Sequence, residues 1–529
     1  MKDLTEKLTS GTHVSYWINS VEPLAYSKLA MDKDADVVII GGGMAGVSIA
    51  YNLMRSGRKV ILLEDGFIGS GETGRTTAHL VNALDDRYYS LEEEYGEEKI
   101  KLIAQSHSAA ITHVEKNIHR ENMDCGFTRL DGYLFLHPSD EEFSLDREFE
   151  AAQKAGLDVE ITENVPGILS VNRAIRFKDQ AQFHPLNYLK GLCDSIVQNG
   201  GMIYTNTHVK EIASDHVTTE DGYRIKANHI VVATNSPVNN KYVTHMKQSP
   251  YRTYVIAATV PKNEIPKALW WDTGDFDANE EIPPYHYVRT IEFNDTHDLL
   301  IVGGEDHPTG DTSHEHIPEE KRYKRLESWT RIHFPKIENV EFRWSGQVME
   351  PLGGLAYIGH NPFDSDNIYI VSGDSGNGIT HGAIAGMLIT DLINGEHNDW
   401  EEIYDPARIK FLETGKNIAR DFKGKLVSLL KPKHSNGIRL EDIPVNKGRI
   451  VEVEGKKYGA FHDEEGIMHM VSATCTHRGC TIKWNNDEKT WDCPCHGSRF
   501  STNGEVINGP ANKPLDYHKK QIEHKTHHK

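Results

Sequence analysis

Apolar residues near the start of the chain follow one another in the pattern of a strand, a helix and a second strand. Residues 37–40 are all valine or isoleucine, which is typical of a parallel strand buried on both faces. After a run of glycines, apolar residues recur at helical spacing, at positions 44, 47, 51 and 54, and Gly57 follows them. Residues 60–63 form a second apolar run. This order predicts a βαβ unit.

The middle of the chain alternates strand-like and helix-like runs, whereas the C-terminal part shows short strands and turns. Strand-like runs occupy residues 132–136, 203–205, 230–233, 253–260, 299–303 and 369–371. Helix-like runs occupy residues 91–122, 186–197, 318–332 and 383–392. Residues 424–436 are the most linker-like stretch. We therefore predict an irregular extension at 1–35, an α/β domain at 36–423, a linker at 424–436 and an all-β domain at 437–529.

Charge and hydropathy narrow the choice of partners. A net charge of −20 argues against binding to nucleic acid or to an anionic membrane surface, because both are negatively charged. The longest apolar run, residues 37–53, is interrupted by glycines, Ser48 and Asn52, so we expect no membrane insertion. Residues 1–31 are polar and mixed in charge and show no export signal. These features predict a cytoplasmic protein.

The glycines after the first strand fit the dinucleotide-binding pattern G-x-G-x-x-G, with Met44 and Ala45 before its last glycine. Gly41 would allow the tight turn, Gly43 would let the backbone approach a pyrophosphate, and Gly46 would let the helix pack closely on the strand. The helix N-terminus would offer unpaired N–H groups and the positive end of its dipole to that pyrophosphate. The alternative is a glycine-rich turn in an ordinary βαβ unit, but the flanking strand and helix favour a dinucleotide.

Further segments extend the predicted cofactor site. Glu64 ends the second strand, where its carboxylate can accept hydrogen bonds from an adenosine ribose. Residues 69–78 contain glycines and hydroxyls that could line the pyrophosphate and a flavin, and they include Arg75, Thr76 and Thr77. Residues 372–382 open another helix, whose N–H groups would suit the negative N1/O2 side of a reduced flavin. We assign this contact to Gly376, Asn377, Gly378, Ile379 and Thr380.

At these residues the chain resembles the D-amino-acid oxidase (DAO) family of FAD-dependent oxidoreductases. The resemblance spans residues 36–411 and rests on the N-terminal glycines and on segments 230–235, 343–346, 351–359 and 373–386. It implies an α/β FAD-binding domain with a separate antiparallel sheet over the flavin, mainly at residues 242–343, and oxidation of C–N bonds in amino acids or amines. It also implies that the backbone of Val209 contacts the adenine and that Ala233 and Thr234 belong to the FAD site.

The cysteines point to a second site. Four of the six cysteines crowd into residues 475–495, which favours a metal site over a disulfide scaffold. Two of them lie in short motifs with a histidine. Cys475 and His477 form a C-x-H motif, and Cys493 and His496 form a C-x-x-H motif. A zinc site is the alternative, but zinc usually takes two C-x-x-C or similar pairs, and the C-x-H spacing disfavours it.

Together these two motifs resemble the double motif of Rieske [2Fe–2S] domains, and the resemblance covers residues 440–522. The resemblance implies that Cys475 and Cys493 bind one iron as thiolates and that His477 and His496 bind the other as neutral imidazoles. Replacing two anionic ligands by neutral ones raises the reduction potential of the cluster, so that the cluster can accept electrons from a reduced flavin.

Residues beside the proposed ligands carry further expectations from the same resemblance. Cys480 and Cys495 match the pair that forms a disulfide next to the cluster in cytochrome bc-type Rieske proteins. Ser498 would donate a hydrogen bond to a cluster sulfur. Phe500 stands where members of high potential carry a tyrosine, so one donor is missing and we expect a lower potential.

The substrate side carries no catalytic triad or pair of carboxylates that stands out in the sequence. Flavin-dependent amine oxidation depends mainly on positioning and desolvation of the substrate. Arg252 or Arg289, in polar-aromatic strand-like segments, could clamp a substrate carboxylate, and His381, beside the proposed flavin helix, could contact the ring. For each of these three catalytic candidates, the alternative is a packed or solvated side chain.

Taken as a whole, the sequence predicts an FAD-dependent oxidoreductase that oxidises a small amine or amino-acid-like substrate. Electrons would pass from the flavin to the Rieske [2Fe–2S] cluster and on to an unidentified acceptor. Two alternatives stay open: an electron-transfer reductase that feeds a partner oxygenase, and a redox sensor in which the cluster or the Cys480–Cys495 pair reports the oxidative state.

Overall fold

The computed structural model describes residues 11–238, 247–278, 282–310, 317–408 and 439–521. Within them the chain forms two compact units. The first consists of His13–His307 and Glu320–Arg408, and the second of the described parts of Thr9–Thr12, Pro308–Glu319 and Ile409–Lys529. The predicted linker at 424–436 lies outside the described residues.

Among the described residues, α-helices occur only before residue 405, whereas strands occur along most of the chain. The helices are α1 (Tyr16–Ser20), α2 (Met44–Arg55), α3 (Tyr88–Tyr95), α4 (Glu97–Arg120), α5 (Phe143–Lys154), α6 (Pro185–Gln198), α7 (Glu319–His333), α8 (Gly378–Asn394) and α9 (Glu401–Tyr404). The first strands are β1 (Lys33–Ile40), β2 (Val60–Leu63), β3 (His79–Leu80), β4 (Thr128–Phe135), β5 (Val159–Thr162), β6 (Ala174–Gln182), β7 (Met202–Tyr204), β8 (Val209–Ile212) and β9 (His216–Thr219). They continue as β10 (Arg224–Val232), β11 (Gln248–Pro261), β12 (Leu269–Asp272), β13 (Tyr287–Glu292), β14 (His297–Pro308), β15 (Val340–Pro351), β16 (Tyr357–His360) and β17 (Ile368–Ser372). The C-terminal strands are β18 (Lys447–Val453), β19 (Lys456–His462), β20 (Ile467–Ser472), β21 (Lys483–Asn485), β22 (Thr490–Asp492), β23 (Arg499–Phe500), β24 (Val506–Asn508) and β25 (Tyr517–Gln521).

The first unit contains an eight-stranded sheet with the order β16-β17-β10-β1-β2-β7, in which β9 attaches to β10 and β8 to β9. Strand β1 lies parallel between β10 and β2, so that Ile39 pairs with Val231 on one side and Leu62 on the other. All three side chains are fully buried, as the uninterrupted apolar runs require. The predicted βαβ unit is confirmed as β1, α2 and β2.

A nine-stranded sheet with the order β15-β11-β14-β13-β12-β4-β6-β3 forms the other layer of this unit, and β5 attaches to β6. Strand β12 pairs with β4 in parallel and with β13 antiparallel. The pairs β11–β15 and β13–β14 are antiparallel, as are the three pairs that β6 forms. Strands β11 to β14 and only the start of β15 fall within the range predicted for the substrate sheet, whereas β3 to β6 come from earlier in the chain.

The two faces of the nine-stranded sheet bury different side chains, because successive residues of a strand point to opposite sides. Val255 and Ile301 belong to the apolar core that also contains α2 and α8, and we call their side the inner face. Tyr254 and Val302 pack with Leu326 of α7, and we call that side the outer face. Only the inner face is therefore directed towards the helices that carry the predicted cofactor segments.

The described C-terminal residues form two four-stranded antiparallel sheets, with the orders β18-β19-β20-β25 and β21-β22-β23-β24. Two glycines allow the sheets to pack. The ring of Trp484 occupies the place of a Cβ on Gly448, and the Trp491 ring lies 3.0 Å from such an atom on Gly459. The expected all-β fold of this part is confirmed.

Two local expectations differ from the structure. The segment expected to be irregular, residues 1–35, contains α1, which Ser15 caps by accepting a hydrogen bond from the N–H of Ile18. Trp17 of α1 is only 1% exposed, so apolar packing fixes this short helix. The helical run expected at 91–122 is broken at Gly96, whose φ of +80° ends α3 and begins α4.

Among the described helices, none has the length and apolar content that crossing a membrane would require.

Candidate functional site

The glycines of the N-terminal motif lie where three elements meet. A Cβ on Gly41, whose φ is +107°, would overlap the carbonyl oxygen of Ala233 at the end of β10. A Cβ on Gly46 would overlap the carbonyl oxygen of Gly41. Gly43 caps α2 in an extended conformation, and a Cβ there would lie 3.1 Å from Thr73 Oγ1. The motif therefore closes β1, α2 and β10 on one another at the N-terminus of α2.

Polar groups surround this helix N-terminus. The N–H of Met44 donates to Thr73 Oγ1 (3.0 Å). The carboxylate of Glu64 accepts from the N–H of Gly42 (2.6 Å) and of Gly66 (2.8 Å). Burial raises the pKa of Glu64 to about 7, and the two backbone donors oppose that rise. Glu64 is thus positioned at the end of β2 as a hydrogen-bonding group, in the place predicted for a ribose contact.

Helix α8 runs parallel to α2 and in close contact with it. A Cβ on Gly382 would lie 2.7 Å from Met44 Cγ and 3.0 Å from the nitrogen of Ala45, and one on Gly386 would lie 2.9 Å from Ser48 Cβ. Because both contact positions advance in the same direction, the two N-termini point to the same side of the unit. Two positive helix ends therefore face one region, as a flavin dinucleotide with its pyrophosphate requires.

The segment that opens α8 contains a polar group without a partner. Asn377 is only 6% exposed, and its side-chain nitrogen has no hydrogen-bond partner among the described residues. Thr380 is tied to Val81, whose carbonyl oxygen accepts from the threonine hydroxyl (3.2 Å), and the preceding Ile379 is buried. An unpaired buried amide beside a helix N-terminus fits a ligand that accepts hydrogen bonds, so the residues present suit FAD.

Three residues that were predicted to line the cofactor also form hydrogen bonds with other residues of the chain. Arg75 is 2% exposed and donates to the carbonyl oxygens of Ser345 (3.1 Å) and His13 (2.9 Å). Thr76 Oγ1 accepts from the N–H of Ala78, and Thr77 Oγ1 lies 3.0 Å from Nδ1 of His79. These contacts fix the turn after residue 71. A direct contact of the three side chains with FAD stays a prediction.

The remaining predicted FAD residues lie at strand ends of the eight-stranded sheet. Val209 begins β8 and is 7% exposed. The N–H of Ala233 donates to the carbonyl oxygen of Ile40 (2.8 Å), which places it beside Gly41. Thr234 follows and donates its hydroxyl hydrogen to the carbonyl oxygen of Ser236 (2.8 Å). Their contacts with the cofactor also stay predictions.

The two arginines proposed as clamps lie on different faces of the nine-stranded sheet. Arg252 shares the outer face with Tyr254 by strand alternation and donates to Ser345 Oγ (3.1 Å). Arg289 lies on the inner face, where its guanidinium donates to the carbonyl oxygens of Thr77, Ala78 and Phe183. Burial lowers the pKa of Arg289 to about 9, so it remains charged at neutral pH. These contacts favour structural roles, and the clamp stays a prediction.

His381, the third catalytic candidate, is fully buried in the first turn of α8. Its Nδ1 lies 2.8 Å from the carbonyl oxygen of Asp374, and its ring lies 5.0 Å from that of His107. Burial, with a smaller effect from His107, lowers the pKa of His381 to about 3, which keeps the imidazole neutral. Contact of this ring with the flavin stays a prediction.

Carboxyl groups that sequence reasoning missed gather on the inner face. We call Asp85, Asp86, Asp306 and Glu350 the inner carboxyl cluster. The hydroxyl of Ser375 lies 2.9 Å from Glu350 Oε2 and 3.3 Å from Asp86 Oδ2. The only sequence signal for this cluster is the pair of acidic residues at 85 and 86, shortly after the predicted flavin-lining segment.

The pKa values of this cluster rise because its members are withdrawn from water and lie near one another. Burial raises the pKa of Asp306 to about 7 and that of Asp86 to about 6, with Asp85 as the next cause for Asp86. Burial and then Asp86 raise the pKa of Glu350 well above its usual range. Grouped acidic side chains with shifted pKa values are frequent at functional sites.

In the second unit, two loops bring the proposed metal ligands together. Cys475 and His477 follow β20, and Cys493 and His496 follow β22. Each loop is closed in the same way. The N–H of Cys475 donates to the carbonyl oxygen of residue 480, and the carbonyl oxygen of Cys475 accepts from the N–H of residue 479. Cys493 repeats both bonds with residues 498 and 497, which explains why two similar sequence halves occur.

The ligand side chains converge in the combination that a Rieske cluster needs. The thiol of Cys493 hydrogen-bonds to Cys475 and thereby lowers the pKa of Cys475 to about 6. The rings of His477 and His496 lie 4.9 Å apart. Two adjacent thiols and two adjacent imidazoles match a [2Fe–2S] cluster with one iron bound by each pair.

The other two cysteines of this region are joined to each other. Cys480 and Cys495 form a disulfide that links the two loops. Cys480, Cys493 and Cys495 place their sulfurs within 4.8 Å of one another, but the disulfide removes two of them as metal ligands. The described residues therefore favour the set predicted from the sequence.

A buried polar network supports the second loop. Arg499, fully buried, donates to Oδ1 of Asp492 (3.1 Å), the residue before Cys493. Ser498 hydrogen-bonds to the Cys475 sulfur and accepts from the N–H of Ala511 (3.0 Å). The hydrogen bond from Ser498 to a cluster sulfur stays a prediction, and the sequence did not reveal the ion pair, because no spacing pattern marks a partner seven residues away on a neighbouring strand.

Comparison with known proteins agrees with the assignment of both domains. Residues 36–392 match the model of the family described as FAD dependent oxidoreductase (DAO), and residues 438–519 match the Rieske [2Fe-2S] domain. The chain is 32% identical over 515 residues to the putative Rieske 2Fe-2S iron-sulfur protein YhfW of Bacillus subtilis, covering 95% of this chain and 96% of the relative. It is 26% identical to gamma-glutamylputrescine oxidoreductase of Escherichia coli, over 72% of this chain and 89% of the relative. Glycine oxidase from Geobacillus kaustophilus shares the fold, with a TM-score of 0.58, 20% identity, and coverage of 71% of this chain and 99% of that structure.

Proposed function

The chain belongs to the DAO family of FAD-dependent oxidoreductases and carries a C-terminal Rieske [2Fe-2S] domain, and from this basis we propose that it oxidises a small amine or amino-acid-like substrate and passes the electrons from FAD to the cluster and on to an acceptor. The DAO domain binds FAD, and the Rieske domain binds a [2Fe-2S] cluster. One observation carries the proposal: a single chain combines a glycine motif that fits a dinucleotide, which we call the dinucleotide cradle, with a set of two thiols and two imidazoles that fits a [2Fe-2S] cluster. The cytoplasmic location expected from the sequence belongs to this proposal.

The proposed reaction removes two electrons from a C–N bond. The substrate loses a hydride from carbon and a proton from nitrogen and becomes an imine, which water hydrolyses to a carbonyl compound and an amine or ammonia. When bound, FAD supplies a two-electron acceptor and the cluster a one-electron carrier. The residues of the chain contribute by binding and orienting. The N-termini of α2 and α8 stabilise negative charge, and the inner face of the nine-stranded sheet excludes water from the substrate.

The relatives support the substrate class. The Escherichia coli relative is named for gamma-glutamylputrescine, and the solved structure that shares the fold is a glycine oxidase. The first name refers to an amine and the second to an amino acid. The chain has diverged from both, so we extend only the C–N bond chemistry to it and leave the acceptor unassigned.

Anaerobic mixing of the holoprotein with a panel of amines and amino acids tests the proposal. We expect a substrate to bleach the flavin absorbance and then to produce the electron paramagnetic resonance signal of a reduced Rieske cluster. A Cys493→Ser variant, which lacks a proposed ligand, should retain the bleaching and lose the cluster signal. Flavin bleaching with a cluster that stays oxidised in the wild type would contradict the proposed electron path, and rapid bleaching by NADH would instead favour an electron-transfer reductase.

A further inference from the structure

We propose that the substrate of the flavin domain is an amine with a second positive charge, such as an aliphatic diamine, and that the inner carboxyl cluster binds this second charge. This substrate class rests on the proposed function and deepens it. It predicts discrimination against α-amino acids, whose carboxylate would meet carboxylates.

Two members of the cluster lie on strands of the nine-stranded sheet, with their side chains on its inner face. Glu350 lies six residues after Trp344 on β15, so strand alternation places both on the inner face. On β14 the alternation changes at Glu305, whose φ of +60° marks an irregularity. Asp306 consequently points inward and hydrogen-bonds to Thr253, whereas His307 points outward to Tyr254 (3.1 Å).

The other two members come from the loop after β3, and they contact the segment assigned to the flavin. A Cβ on Gly376 would overlap Asp85 Oδ2, so this carboxylate lies directly against the backbone of Gly376. Asp86 shares the hydroxyl of Ser375 with Glu350. The cluster therefore borders residues 375–378 at the N-terminus of α8, which is the segment proposed to contact the flavin.

No cation among the described residues forms an ion pair with the cluster, although Arg87, His286 and Arg322 act on it from a greater distance. None of its four carboxylates lies within 4.0 Å of a lysine, arginine or histidine nitrogen among the described residues. Arg87 is the nearest candidate in sequence, but its guanidinium donates to the carbonyl oxygens of Leu84 (3.3 Å) and Asp272 (3.0 Å). Four grouped carboxyls without a direct ion-pair partner favour the binding of a cation.

One oxygen atom of the cluster lacks a hydrogen-bond donor. Asp306 Oδ1 is buried and has no hydrogen-bond partner among the described residues. All four residues keep partial exposure to solvent rather than being sealed in the core. A buried acceptor without a donor is costly, and an ammonium group supplies three donors.

The arrangement fits an extended organic cation better than a metal ion. The groups of described residues that place three ligand atoms within 4.8 Å of one another do not include this cluster. The rings of Tyr285 and Tyr287 lie 5.2 Å apart beside it, and Tyr285 hydrogen-bonds to Asp85. Aromatic faces next to carboxylates suit an alkylammonium group.

The same face offers little to a substrate carboxylate. Arg289 lies on the inner face, but three backbone carbonyls already accept from its guanidinium. Arg252 lies on the outer face with Tyr254. A zwitterionic amino acid would thus bring an anion to the inner carboxyl cluster without gaining a matching cation, which selects against it.

Binding to the FAD-loaded full-length protein tests the inference independently of turnover. We would measure thermal shifts and titration calorimetry with 1,4-diaminobutane, N-acetyl-1,4-diaminobutane, butylamine, glycine and L-alanine, and with Mg²⁺ alone. The diamine should bind most tightly, and acetylation of one nitrogen should weaken binding roughly tenfold or more, because it removes one buried charge pair. Equal binding of the acetylated diamine or of the amino acids, or an equal shift with Mg²⁺, would overturn the inference.

Neighbouring residues on β14 provide a matched pair of variants. Asp306→Asn removes a carboxylate of the inner face, whereas Glu305→Gln removes one that faces Arg325 (3.6 Å) outside the cluster. Asp306→Asn and Glu350→Gln should each weaken diamine binding roughly tenfold, and Glu305→Gln should leave it unchanged. Because the two cluster variants relieve repulsion, both should fold with an unchanged or raised Tm without ligand. Unchanged diamine affinity in both folded cluster variants would overturn the inference.

The outcomes separate this inference from the proposed function. If diamines bind through the cluster but do not reduce the flavin, the inferred binding of diamines is supported and the proposed oxidation is refuted. If amino acids reduce the flavin and diamines neither bind nor react, the oxidation stands and the inference fails.

Discussion

At the scale of the residue, Gly46 meets a steric requirement that no side chain can satisfy. A Cβ there would overlap the carbonyl oxygen of Gly41 and lie 3.4 Å from Ile39 Cγ2. Helix α2 could make room only by moving away from β1. One residue therefore sets the separation of strand, turn and helix at the proposed pyrophosphate site.

Replacement of this glycine should loosen the cradle. Gly46→Ala should lower the free energy of unfolding by about 1–3 kcal/mol, because an added methyl group forces the backbone apart. The FAD content of the purified protein should fall as well. Gly43→Ala is the matched comparison, since its Cβ would meet only the hydroxyl oxygen of Thr73 at 3.1 Å, which can rotate. A larger loss of stability for Gly43→Ala than for Gly46→Ala would contradict this account of the motif.

The inner carboxyl cluster should make stability depend on pH. Burial raises the pKa of Asp306 to about 7 and that of Asp86 to about 6, and it raises the pKa of Glu350 further. A group with a raised pKa in the folded state contributes stability that is complete below its unfolded pKa, about 4, and that is lost as pH rises through the folded pKa. The substrate-free protein should therefore lose this contribution between about pH 4 and pH 8.

A single variant isolates this contribution from that of other titrating groups. The groups that act electrostatically on the cluster are Asp85, Asp86, Arg87, Glu94, Tyr285, His286, Asp306, Arg322 and Glu350. Glu350→Gln removes one carboxylate, so its Tm should exceed that of the wild type by a margin that grows from about pH 5 to about pH 8. Thermal unfolding at several pH values measures the margin. A margin that shrinks over this range would show that the folded pKa is not raised.

Phe500 provides a test of the cluster potential. This side chain is fully buried on β23, in the position where a tyrosine would supply a further donor. Phe500→Tyr should raise the reduction potential by about 60 mV, if one hydrogen bond to the reduced cluster contributes about 1.5 kcal/mol. Spectroelectrochemical titration measures the change. Phe500→Leu adds no donor and should leave the potential near that of the wild type, and equal shifts in both variants would refute the hydrogen-bond explanation.

At the scale of the element, strand register decides which predicted residues can act together. Arg252 and Arg289 both lie in strand-like segments, and the sequence could not assign them to faces, because a shift of one residue exchanges the faces of a strand. The structure places them on opposite faces. Asp306 escaped prediction for the same reason, since the irregularity at Glu305 reverses the alternation locally. The loops of the Rieske domain were easier to predict, because their ligands follow one another within a few residues.

The disulfide between these loops should stabilise the ligand set. Cys480 and Cys495 are separated by 15 residues, and closing a loop of that length contributes about 3 kcal/mol in the chain-entropy model. A Cys480→Ser/Cys495→Ser double variant should lose its visible cluster absorbance at a lower temperature than the wild type. Cys193→Ser, which removes a buried thiol of the FAD domain, should leave this transition unchanged. An unaltered transition in the double variant would show that the link does not support the cluster.

At the scale of the whole molecule, the sequence was sufficient to predict the fold class and both cofactors. Apolar runs predicted β1 and β2, and the motifs predicted FAD and a [2Fe-2S] cluster, because each depends on a short stretch of chain. The inner carboxyl cluster was not predictable. Its carboxyls come from positions 85, 86, 306 and 350, which only long-range packing brings together.

The parallel arrangement of α2 and α8 has a consequence for biogenesis. In the FAD-free protein, the positive ends of the two helices lie on the same side of the unit, near the Asn377 amide that has no partner among the described residues, and their mutual repulsion opposes closure of the unit. Arrival of the dinucleotide converts the repulsion into attraction, so maturation and coenzyme loading become a single event. Cells starved of riboflavin should accordingly accumulate little of this polypeptide, even when its messenger is abundant.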